Sequence, residues 1–225
     1  MVYRDINCFE HSNLVTSTIS TQFSILKSVF SYGYKNRIIN INPLDRHSAE
    51  DFGGSVKVRR NFFAFEDIGI LWLAITRIKH LKRSKFMQLL TIFGARTTEL
   101  RIAKISDFDF EKNVWTIPPE NHKTGGNGEV KQRAIPELAK DIIEDLDYGQ
   151  TYLFESLVKV GQPLNRRFCE DALSDLKKNL GDLNHRLAND FINHDLRRTC
   201  RTAWEFDLEF DHIVCEEMLG HEVNQ

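Results

Sequence analysis

The feature that most limits how this chain can fold is a change of apolar rhythm partway along it. Up to about Ala103 and again after Pro136, apolar residues recur at helical spacing, whereas between Phe108 and Ile135 the period falls toward two. Phe108, Phe110, Val114, Trp115 and Ile117 read as short strands, and Val130 to Ile135 as another. Gly125-Gly126-Asn127-Gly128 supplies the turn between them. One small antiparallel sheet set among helices makes an α+β fold that is mostly helical, and no internal repeat is present.

The helical stretches divide the chain. From Ser17 to Lys35, Ile19, Phe23, Leu26, Val29, Phe30 and Tyr34 trace an amphipathic helix, which Gly33, Asn40, Asn42 and Pro43 punctuate. Residues 46–61 turn polar around Gly53-Gly54-Ser55 and are the expected linker. A new unit, 62–225, opens at Phe62-Phe63-Ala64-Phe65-Glu66-Asp67 on a helix to about Lys79. Further helices are expected at Ser84 to Phe93, Thr97 to Ala103, Pro136 to Leu146, Arg166 to Leu180, His194 to Phe206 and Asp211 to Leu219, with Gly94 breaking the second from the third.

Composition excludes several classes. Hydrophobic content of 41% and charged content of 28% suit an ordinary globular protein, and 225 residues can bury a sizeable core. No apolar run reaches membrane-spanning length and no secretory pattern opens the chain, so no membrane association and an intracellular location are expected. Cys8, Cys169, Cys200 and Cys215 are scattered and the eight histidines form no ligand cluster, so neither a metal nor a cofactor is expected. A net charge of −2 does not advertise a nucleic-acid binder. Distribution matters more than the sum, and basic residues gather at Lys57 to Arg60, Lys79 to Lys85, Lys131 to Arg133, Arg166-Arg167 and Arg197 to Arg201.

Chemistry concentrates in Asn193-His194-Asp195-Leu196-Arg197-Arg198-Thr199. On a helix, His194 and Arg197 emerge on one face, where a guanidinium fork and an imidazole can address one phosphate together. Taken alone, such a pair is more often a solvated basic face. Three further stations accompany it: Gly94-Ala95-Arg96-Thr97-Thr98-Glu99-Leu100, then His122-Lys123-Thr124 followed by Arg133-Ala134-Ile135-Pro136, and finally Leu219-Gly220-His221.

In that order and spacing the four stations resemble the catalytic domain of the tyrosine recombinases, the phage-integrase family. The resemblance runs from about Phe62 to the last residue. It extends more weakly over Thr16 to Pro43, so that residues 1–45 look like the C-terminal remnant of the family's helical core-binding domain. It implies that Arg96 and Arg197 clamp the scissile phosphodiester, that Lys123 protonates the departing 5′ oxygen with Lys131 its competitor, and that His194 serves as base or hydrogen-bond partner. It also implies that His221 bonds a phosphoryl oxygen. Lys57, Arg59, Arg60, Lys131, Arg133 and Arg198 are the expected DNA contacts, and Glu99 is expected to be structural. The implied partners are duplex DNA with paired recombination sites and further copies of the chain, as a tetramer.

The family's chemistry also needs a tyrosine that forms a 3′-phosphotyrosyl link, roughly nine residues past the Leu-Gly-His station. The tyrosines here are Tyr3, Tyr32, Tyr34, Tyr148 and Tyr152, all earlier than His194. The expectation is a catalytic domain cut before its nucleophile, in preference to a tyrosine from another molecule or to a relative that no longer cuts. Integration or excision of a mobile element is the implied activity. A non-catalytic DNA-binding relative, a type IB topoisomerase-like enzyme and an unrelated helical protein remain open alternatives.

Overall fold

The computed structural model describes residues 16–55, 60–122, 128–146 and 149–221. The chain divides into two compact units, Met1–Arg60 and Asn61–Gln225.

In the first unit, helix α1 (Thr16–Lys35) buries Ile19 and Phe23, while Leu26, Val29 and Tyr34 of the same apolar stripe are exposed. Part of the stretch expected to be a linker is folded. A 3-10 turn at Glu50–Phe52 stacks Phe52 on Phe23 with ring centroids 5.4 Å apart, and Lys27 Nζ donates to His47 O at 2.8 Å. Gly54 comes so close to Ala49 O and Ser20 that an added Cβ would lie 2.7 and 2.8 Å from them. The glycine read as a linker signal is therefore a packing residue.

The second unit is mostly helical around one three-stranded sheet. A 3-10 turn at Phe65–Asp67 leads into α2 (Ile68–Thr76), and α3 (Leu81–Phe93) follows. α3 starts earlier than the apolar spacing suggests, because His80 caps it by accepting from Arg83 N. It packs against α2, α5 (Glu137–Glu144), α6 (Arg166–Asp182) and α7 (Asn193–Thr202). Burial all round explains why its own side chains are apolar on several faces: Phe86, Met87, Leu89 and Leu90 are at most 1% exposed. Each such side chain contributes about 1.5–3 kcal/mol of transfer free energy.

Between α4 (Thr97–Arg101) and α5 lie β1 (Phe108–Asp109), β2 (Val114–Ile117) and β3 (Lys131–Ala134), antiparallel in that order. Phe110 is not in a strand. Lys112 N donates to Asp109 Oδ1 at 2.9 Å and Asn113 takes φ 55°, so the chain turns there, with the Phe110 ring stacked on Phe108. In the β2–β3 register Trp115 faces Arg133 and Ile117 faces Lys131. Trp115 and Ile117 point into the core, and the alternation of side chains carries Arg133 inward with them. α7 passes into a π-helical turn at Ala203–Asp207, and α8 (His212–Leu219) follows. No helix among the described residues is long and apolar enough to cross a membrane.

Candidate active site

The site is built where α3 ends. Gly94 closes that helix at φ 55°, and a Cβ there would lie 3.0 Å from Trp204 Cη2 and 3.1 Å from Cys200 Cβ. Only glycine permits both the left-handed turn and this approach of α7. The close contact brings two guanidiniums onto the end of α3. Arg197 Nη1 donates to Gly94 O at 2.8 Å, and Arg133 Nη1 donates to Phe93 O at 2.8 Å. Carbonyls at a helix C-terminus lack intrahelical partners and carry the negative end of the dipole, so cations suit them. The same forks reach the end of α8: Arg197 Nη2 donates to Leu219 O at 2.5 Å, and Arg133 donates to Met218 O at 3.0 Å and Leu219 O at 3.3 Å.

Glu99 supplies the negative charge. Its carboxylate is 1% exposed, accepts from Arg96 N at 2.9 Å and Arg96 Nη1 at 2.6 Å, and pairs with Arg133 Nη2 at 3.0 Å. Burial pushes its pKa up, but Arg133 and the bonds from Arg96 outweigh that and hold it below the usual carboxylate range. Burial, then the charges of Arg96 and Arg133, lowers Arg197 to about 10. Burial likewise lowers Arg133. Arg96, Arg133 and Arg197 thus gather around Glu99 with positive charge in surplus, which favours an incoming anion.

α7 presents the other groups. Asp195 at its first turn accepts from Ile192 N at 3.0 Å and pairs with Arg198 Nη1 at 3.3 Å. Cys200 Sγ donates to Thr91 O, tying α7 to α3, and burial pushes its thiol up to about 12. His194 is exposed, and its pKa is lowered first by partial burial and then by Arg198 and Arg197. With Arg96, Thr97, Asn121, His122 and Asn193 it lines an open cleft of ≈ 530 Å³. His122 Nε2 donates to Glu129 O at 2.9 Å, and the buried Oδ1 of Asn193 has no partner among the described residues.

At the end of α8, Gly220 adopts φ 69° and His221 N donates back to Glu216 O at 2.9 Å. The ring of His221 meets Arg197 Nη2 through Nε2 at 2.9 Å and Glu216 Oε2 through Nδ1.

The structure therefore brings Arg96, His194, Arg197 and His221 into one neighbourhood. His194 and Arg197 differ sharply in burial, however: Arg197 is 2% exposed, locked under the helix instead of standing beside His194 at its surface. Arg133, expected to contact DNA, is turned inward. It is 7% exposed, its head group is spent on Glu99 and three carbonyls, and it lies over the Trp115 ring at 5.8 Å. Lys131 donates its ammonium to Gly220 O. Arg198 is half-buried on Asp195, and Arg60 is exposed in the first unit. Lys123, Lys57 and Arg59 lie outside the described residues. Asn193 and His122 stand in the motifs without an expected role, and Glu216 stands outside them. Glu216 left a trace, five positions before His221 on the helix that ends there.

Among the described residues no group of three or more histidines, cysteines or carboxylates is arranged to hold a metal ion. No curated protein sequence matches the chain. Solved structures with a similar fold include the Tn1549 transposon integrase in complex with circular intermediate DNA, with 18% identity and TM-score 0.74 over 98% of this chain and 76% of that one. A lambda integrase dimer bound to a COC′ core site gives 17% identity and TM-score 0.64 over 95% and 81%. The XerH site-specific recombinase bound to difH substrate gives 17% and 0.73 over 99% and 64%. These similarities show a tyrosine-recombinase fold, and the family model described as phage integrase family matches residues 70–225. With that match over most of its length, and with the arginines and histidines of its four motifs at the meeting of α3, α7 and α8, the chain belongs to the phage integrase family.

Proposed function

We propose that this chain serves site-specific DNA recombination, providing the phosphate-activating groups of a site that breaks and rejoins DNA strands. The observation that carries this is the surplus of guanidinium charge around Glu99, with His194 and His221 beside it. Attack on phosphorus builds charge on the non-bridging oxygens, and cations fixed beforehand stabilise that charge more than the ground state. Arg96 and Arg197 are the proposed clamp, and Arg133 holds Glu99 so that Arg96 stays oriented. His194, biased toward its neutral form, accepts the proton of an attacking hydroxyl. A tyrosine oxygen forms the bond to phosphorus as the P–O5′ bond breaks, and Lys123 gives its proton to the departing oxygen. The 5′ hydroxyl reverses these steps to rejoin. His221 accepts from Arg197 and steadies that guanidinium at the phosphate. Lys57, Arg59, Arg60, Lys131 and Arg198 are proposed backbone contacts. Residues 1–45 act as part of a DNA-gripping domain, 62–225 as the catalytic domain, and copies of the chain assemble on paired duplex sites.

A second reading is a relative that binds DNA without cutting it. It is favoured by the burial of Arg197, whose guanidinium is already bonded to Gly94 O and Leu219 O. Incubation of the gene's full-length product with a nicked duplex, followed by denaturing electrophoresis, separates the two. An adduct that resists detergent, lost in Arg197→Ala, supports strand breakage. Salt-sensitive binding without an adduct supports the second reading, and binding indifferent to salt and to Arg96→Ala sinks both.

A further inference from the structure

His221 is held by a residue that neither the family motifs nor the proposed chemistry uses. Glu216, on the last turns of α8, grips it twice: its carbonyl accepts from His221 N at 2.9 Å, and its carboxylate Oε2 accepts from the ring Nδ1. The other carboxylate oxygen is occupied, since Arg201 Nε donates to Glu216 Oε1 at 2.6 Å. Arg201 is fixed in turn by Glu205 Oε2, which accepts from its Nη1 at 2.6 Å. On its far edge the ring faces Arg197 Nη2 at 2.9 Å. A guanidinium can only donate, so Nε2 is the accepting nitrogen and the ring proton sits on Nδ1, where Glu216 receives it.

We propose that Glu216 is a positioning residue: its carboxylate, clamped by Arg201, fixes the Nδ1–H form of His221, so that Nε2 accepts from Arg197 and holds that guanidinium ready for the anion that Arg197 attracts. The anion half of this statement rests on the phosphate-site reading above. The tautomer half stands on the hydrogen bonds alone. Replacing Glu216 by Gln tests it sharply, because Arg201 claims the single amide oxygen and the NH₂ group is left facing Nδ1. Two donors cannot share that contact. The ring proton must move to Nε2, where it meets the donor of Arg197, and the ring loses its place.

The test is long-range proton–nitrogen NMR of ¹⁵N-labelled protein at mildly alkaline pH, with His221 assigned through His221→Gln and inorganic phosphate as the probe. Expected are Nδ1–H in the unaltered protein, Nε2–H in Glu216→Gln and Nδ1–H again in Glu216→Asp, which keeps the carboxylate. Phosphate should shift the His221 nitrogens in the unaltered protein and leave them at least several-fold less responsive in Glu216→Gln. Finding Nε2–H in the unaltered protein overturns the proposal even if no variant folds, and so does an equal phosphate response in both proteins. The expected tautomers with no phosphate response at all support the assignment of Glu216 and remove the phosphate-site reading instead.

Discussion

Arg197 donates to the carbonyl of Gly94 at 2.8 Å, joining α7 to the residue that ends α3. The same side chain reaches Leu219 O and His221, so one guanidinium holds three segments that are far apart in sequence. Arg197→Lys keeps the charge and loses the planar fork. The substitution is expected to lower stability by about 2 kcal/mol, the scale of hydrogen bonds made by a charged group. Urea denaturation measures it, and an unchanged midpoint would show that the fork contributes nothing to holding α3, α7 and α8 together.

Gly94→Ala acts on the same junction from the other side. The positive φ costs about 1–2 kcal/mol for a residue with a Cβ. The methyl group also meets Trp204 and Cys200 at 3.0–3.1 Å. Thermal unfolding should therefore move down by more than the backbone strain alone, and near-UV circular dichroism should report a displaced Trp204. A midpoint within error of the parent would contradict the close packing of α7 on this turn.

Glu99 links pH to stability. Its folded pKa lies below its ordinary value of 4.5, so the unfolded chain binds the proton more readily. The stabilisation is full above pH 4.5 and is lost as pH falls through the folded value. Glu99→Gln leaves Arg133 buried against a neutral partner, at a cost of about 3 kcal/mol near neutrality. Below the folded pKa of Glu99 the difference between variant and parent should shrink, as acid unfolding followed by fluorescence would reveal.

His194 should titrate below its ordinary value of 6.5, first because of partial burial and next because Arg198 and Arg197 oppose its charge. Arg198→Ala removes one of those cations and should move the midpoint up toward 6.5. Proton NMR of the imidazole reads this directly. A midpoint that moves down, or stays put, would mean that Arg198 does not face the ring.

Much of the fold was legible before any coordinates. The period-two stretch became the three-stranded sheet, and the Gly94 break separates α3 from α4 where the apolar rhythm lapses. Phe110 misled because its apolar character continues the strand pattern, while Asp109 and Asn113 impose a turn. Arg133 is hidden for a different reason. Its charge suggested a solvent face, yet a residue paired with Trp115 shares the buried side of the pleat. Glu99 and the end of α3 offset the cost of bringing that charge inside.

What the linear chain determined is the set of elements and the types of residue at each station, since apolar spacing and glycine placement act over a few neighbouring positions. What only the folded molecule decided is which of those charges are hidden. Arg197 and Arg133 lie 2% and 7% exposed although they are as polar as the exposed Arg60. The difference is that helix-end carbonyls and a buried carboxylate, distant in sequence, converge to replace the water that each guanidinium gives up.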